Sequence, residues 1–67
     1  MSIVLNGEPS ELPAGATVEA AVGELGANDR GVAVAVDGEV VPRGEWASTE
    51  VRDGQQVEVL RAVQGGR

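Results

Sequence analysis

The sequence predicts a two-layer α+β domain, with one helix laid across one five-stranded mixed sheet. Three observations predict it. The pairs Asn6-Gly7, Asp37-Gly38 and Asp53-Gly54 punctuate the chain with residues that accept the positive φ angles of tight turns. Val18, Ala21, Val22 and Leu25 recur at i, i+3, i+4 and i+7, one apolar face of a helix. The remaining apolar residues fall in short β-branched runs, clearest in Val32-Ala33-Val34-Ala35-Val36.

Ser2-Ile3-Val4-Leu5 reads as the first strand, Asn6-Gly7 as a two-residue turn, and Glu8 to Leu12 as the return strand. Pro9 has no N–H to donate to a ladder, so this strand belongs at a sheet edge. After the loop Pro13-Ala14-Gly15-Ala16, Thr17 is a good N-cap, Glu19 puts negative charge in the first turn, and Gly26 closes the helix. Gly23 costs this short helix roughly 1 kcal/mol against alanine, so packing must hold it. Ala27 to Gly31 is a polar connection. Val32 to Val36 and Glu39-Val40-Val41 form a second hairpin about Asp37-Gly38. Pro42 to Trp46 leaves the sheet, and Thr49 to Arg52 is irregular or weakly extended. Gln56 to Val63 is the last strand. If the first and last strands are parallel neighbours at the centre, the Pro9 strand falls at an edge, and the sheet is a β-grasp sheet.

Composition narrows the chemistry. Sixty-seven residues make one domain near the lower limit for folding without staples. Cysteine, histidine and lysine are absent, which excludes disulfides, Cys or His metal sites and thiol or Ser-His nucleophiles within this sequence. Eleven acids against five arginines give a net charge of −6. Phosphate backbones repel such a surface, so nucleic acid is not the expected partner, whereas a protein with a basic face is. No apolar stretch is long enough to span a bilayer and no signal-peptide pattern is present, so the expected location is the cytoplasm, with no membrane partner.

Alternation divides the sheet into two faces. With Val32, Val34, Val36, Val57 and Val59 towards the helix, the other face presents Ala33, Ala35, Leu60 and Ala62. Scattered exposed alanines need no explanation, but Leu60 among them points to a docking surface. Trp46 reads as a plug for one end of the core. Arg43 either pairs locally or meets a partner. The paired acids Asp37 and Glu39 read as turn and surface residues rather than an acid/base couple.

The sequence ends Ala62-Val63-Gln64-Gly65-Gly66-Arg67. Glycine at a frayed end needs no function by itself. Joined to this scaffold, however, the sequence resembles the ThiS family of sulfur carriers in thiamin thiazole biosynthesis, a ubiquitin-like β-grasp family, along nearly its whole length. The strongest segment is Gly31 to Trp46. Within it, Val41-Pro42-Arg43-x-x-Trp46 resembles the family's mid-chain motif; Asp53-Gly54 and Ala62-Val63-Gln64-Gly65-Gly66 also match. The family ends at the second glycine, and this sequence continues to Arg67. A free Gly66 carboxylate therefore requires that a peptidase remove Arg67; the other readings are that Arg67 is an addition, or that this copy is not activated.

The resemblance implies a domain over residues 1–63 and a tail over 64–67. It implies that an E1-like partner (ThiF) uses ATP to adenylate Gly66, that a sulfur donor protein displaces AMP to leave a thiocarboxylate, and that thiazole synthase (ThiG) accepts the sulfur. The chain would then be no enzyme and bind no cofactor, the ATP belonging to the partner. Gly65 and Gly66 lack Cβ and can enter a narrow channel. Val63 to Gly66, fully extended, reaches roughly 13–14 Å at about 3.3–3.6 Å per residue. Leu60, Ala62, Ala33, Ala35, Val63 and Gln64 are the expected partner-binding residues. Three other readings stand beside this one: a MoaD-like carrier for molybdopterin, a ubiquitin-like protein modifier, and an interaction domain with an inert tail.

Overall fold

In the computed structural model, which describes residues 1–26 and 31–61, the described elements follow the expected order. They are β1 (Ser2–Leu5), β2 (Glu8–Glu11), α1 (Val18–Glu24), β3 (Val32–Val36), β4 (Glu39–Val41), a 3-10 turn (Arg43–Glu45) and β5 (Gln56–Arg61). The sheet order is β2-β1-β5-β3-β4. β1 and β5 are parallel neighbours at its centre, and β2 and β4 are its edges. The missing N–H of Pro9 therefore lies on an edge strand, where it interrupts no central ladder.

Both hairpins turn as their sequences require. Asn6 and Gly7 have φ of 51° and 83°, and Asp37 and Gly38 have 50° and 86°. Positive φ at both central residues matches the twist of the flanking strands.

The helix begins where Thr17 caps it, its hydroxyl accepting from the Ala20 N–H at 3.3 Å. The next two orphan N–H groups are satisfied by the loop after the 3-10 turn: Val18 donates to Thr49 O at 2.8 Å and Glu19 to Trp46 O at 3.1 Å. Val18, Ala21 and Val22 are fully buried, as their spacing predicts. Leu25 departs from that prediction. It is the C-cap, just past the last helical residue, and is 41% exposed beside a groove shared with Leu5, Glu8 and Pro9. Seven helical residues are too few to carry the apolar face through a fourth position.

The core is aliphatic apart from Trp46. Ile3, Leu5, Leu12, Val34, Val57 and Val59 meet the buried helical residues from the sheet side. Val32 and Val36 are half-buried against this core, so the expected inward face of β3 is correct. Val51 belongs to the core as well, at 3% exposed. Its segment is extended, as the sequence reading allowed, and is anchored by a bridge between Thr17 and Glu50 and a 2.9 Å bond from Val51 N–H to Ala16 O. Residues 62 and 63 of the expected last strand, and most of the connection over 27–31, lie outside the described residues.

Candidate functional site

Register places the predicted docking residues side by side. Ala33 on β3 lies directly opposite Leu60 on β5, and Ala35 lies opposite Glu58. On the other side of β3, Ala35 lies opposite Val40. Directly opposed residues of an antiparallel pair share a face, so Leu60, Ala33, Ala35 and Val40 form one apolar surface away from the helix. Leu60 is 69% exposed and Val40 is 74% exposed. Ala33 is exposed and Ala35 half-buried. Val40 was missing from the predicted set. The signal for it was present: a two-residue turn at Asp37-Gly38 makes residue 35 face residue 40.

An acidic groove of about 340 Å³ adjoins this surface, with Asp37, Glu39, Glu45 and Glu50 on its walls and Val36, Val40 and Val41 among its apolar residues. Asp37 has a structural task there. One carboxylate oxygen accepts from Gln56 N–H at 2.9 Å, and the other from the Gln55 side-chain amide at 3.1 Å. This ties the second hairpin to the start of β5, in keeping with a turn residue rather than a proton donor. Among the described residues, no group of three or more Asp or Glu is placed to hold a metal ion.

The Val41-Pro42-Arg43-x-x-Trp46 motif builds the end of the core. Pro42 follows the last residue of β4, and its carbonyl accepts from Glu45 N–H at 2.8 Å to start the 3-10 turn. That turn brings the Trp46 indole back over the sheet, where Nε1 donates to Val41 O at 2.9 Å. The indole is 4% exposed, and the Arg43 guanidinium lies 4.9 Å from its ring centre. Arg43 thus meets its neighbour within the motif. The expected plug is correct, and the motif's visible work is structural.

Ala62, Val63, Gln64, Gly65, Gly66 and Arg67 lie outside the described residues. Up to Arg61, β5 runs antiparallel beside β3, with Arg61 opposite Val32. The strand that leads to the diglycine therefore also carries Leu60.

A mixed five-stranded sheet with parallel outermost-in-sequence strands at its centre, one helix on one face and an apolar opposite face defines a ubiquitin-like β-grasp domain. The family model described as "ThiS family" matches residues 3–66. A sulfur carrier protein ThiS of Escherichia coli is 33% identical over 66 residues, covering 98% of this chain and 100% of that protein. A thiazole synthase of Paramagnetospirillum magneticum is 42% identical over 66 residues; the match takes in 98% of this chain but only 20% of that longer protein. The crystal structure of a thiamine biosynthesis protein (ThiS) from Geobacter metallireducens superposes with a TM-score of 0.77 at 33% identity, covering 98% of this chain and all of that one. This chain belongs to the ThiS family.

Proposed function

We propose that this protein is the sulfur carrier of thiamin thiazole formation, and that its reactive group is the main-chain carboxyl of Gly66. The observation that carries this reading is the reach of the family match, which continues through residue 66 and stops at the second glycine. The E. coli relative matched over its full length is named a sulfur carrier protein.

A carboxylate is a poor acyl electrophile, being anionic and resonance-stabilised, so one oxygen must be exchanged for a better leaving group. The Gly66 carboxylate attacks the α-phosphorus of ATP held by an E1-like partner, and pyrophosphate leaves. The sulfur of a donor then adds to the acyl carbon, and AMP departs. Where the donor is a persulfide, a thiol reduces the remaining S–S bond, and a thiocarboxylate is left on Gly66. Arg67 must first be cleaved off. In this scheme the chain is a co-substrate and not an enzyme, and it binds no cofactor of its own.

The body ends near residue 63, and 64–67 form the arm that enters each partner's active site. The body docks through Leu60, Ala33, Ala35 and Val40, with Ala62, Val63 and Gln64 continuing the contact. Thiazole synthase as acceptor is supported by the Paramagnetospirillum relative, in which a stretch like this chain is part of a protein of that name. The proposed location is the cytoplasm; no helix among the described residues is long and apolar enough to cross a membrane.

Intact-mass spectrometry of the protein from its native host tests the proposal. The expected species lacks Arg67 and carries sulfur in place of one oxygen. A population that retains Arg67 throughout, in cells that are making thiazole, would overturn it.

A further inference from the structure

Asn6 is more than a turn residue. β1 ends at Leu5, yet its neighbour β5 runs on to Arg61. The Asn6 main-chain N–H still donates to Val57 O at 2.9 Å, and there the chain reverses into the turn. The next rung is made by the side chain. Val59 N–H donates to Asn6 Oδ1 at 2.8 Å, and Asn6 Nδ2 donates to Val59 O at 3.3 Å. Only one amide orientation satisfies both partners, because the N–H needs the oxygen and the C=O needs the NH2. The carboxamide replaces the peptide unit that a longer β1 would have offered.

The same residue precedes a glycine, and a glycine nitrogen has no Cβ beside it to hinder attack on the preceding side chain. We propose that Asn6 is a deamidation site gated by the fold, protected while its carboxamide bridges Val59 and reactive when the β1–β2 hairpin parts from β5. The Gly7 main-chain nitrogen bonds to Asn6 Cγ, the Cγ–Nδ2 bond breaks, and ammonia leaves with the Gly7 amide proton. Water then opens the cyclic imide at either carbonyl, giving aspartate or isoaspartate.

In the folded chain the leaving nitrogen is held by Val59 O and the amide oxygen by Val59 N–H. Cγ cannot turn to meet the Gly7 nitrogen until both bonds break. Neither product can restore the rung. Aspartate sets a carboxylate oxygen against the Val59 carbonyl, where a donor stood. Isoaspartate adds a main-chain carbon to a two-residue turn. Each conversion is therefore a permanent record of opening, made on the strand that leads to the diglycine, and it does not depend on the carrier reading.

The full chain, incubated in mildly alkaline buffer with and without denaturing urea and then peptide-mapped by mass spectrometry, tests this. Conversion at Asn6 should be roughly tenfold or more slower in the folded chain, since local opening must precede it. The purified converted chain, and Asn6→Asp made directly, should both unfold at lower urea than the unmodified chain. Equal conversion rates in folded and unfolded chain would overturn the gating. A converted chain with an unchanged unfolding midpoint would overturn the role assigned to the rung.

Discussion

Trp46 is the side chain on which the end of the core depends most. It fills the space between the 3-10 turn and the sheet, and it satisfies its one polar atom on Val41 O. Trp46→Ala should cost about 3–5 kcal/mol, the range for removing a large buried aromatic. Trp46→Phe keeps most of the volume but forfeits the indole hydrogen bond, and should cost about 1–3 kcal/mol. Urea unfolding of the two variants separates packing from hydrogen bonding; equal losses would mean that the bond to Val41 contributes nothing beyond shape. The turn residues carry more than turns as well. Asp53 Oδ1 accepts from Ser2 N–H at 2.8 Å, and Gly54 N–H donates to Ser2 O at 2.7 Å, so the third turn fastens the start of β1. Asn and Asp were legible as turn formers because tolerance of positive φ is local chemistry. Their bonds to distant strands were not, because they join residues 19 to 53 positions apart.

At the scale of elements, β3, β4 and β5 set the composition of the outer face. Small alanines on the central β3 lie low between two larger exposed side chains, Val40 on one side and Leu60 on the other. A charge placed at either position stays in water in the free protein and is desolvated only in a complex. Leu60→Asp and Val40→Asp should therefore leave the unfolding midpoint within about 0.5 kcal/mol of the parent. Each should also weaken binding to the activating enzyme, read as a raised KM for the carrier in an adenylation assay. Unchanged KM for both variants would remove this face from the docking surface. The helix adds little on its own: at seven residues, with a glycine inside it, it persists through Val18, Ala21 and Val22 and through the bonds its first N–H groups make to Thr49 and Trp46.

The whole molecule carries a net charge of −6 on 67 residues, with no lysine and no histidine. Such a surface favours encounter with basic faces and loses that advantage in salt. The rate of association with the activating enzyme should fall as ionic strength rises, while the off-rate, governed by the apolar contact, changes less. Stopped-flow binding across a salt series measures both, and a salt-independent on-rate would exclude steering by the acidic surface. By itself the sequence determined the strand order, the edge position of Pro9, the helix cap, the turn types and the carrier terminus. Each of these follows from backbone preference, side-chain period or a short motif, all of them local. Tertiary structure alone decided that Val51 belongs to the core, that Leu25 does not, and that Asn6 completes a rung with Val59. Those outcomes depend on which distant segment arrives opposite a residue, and no local preference encodes that.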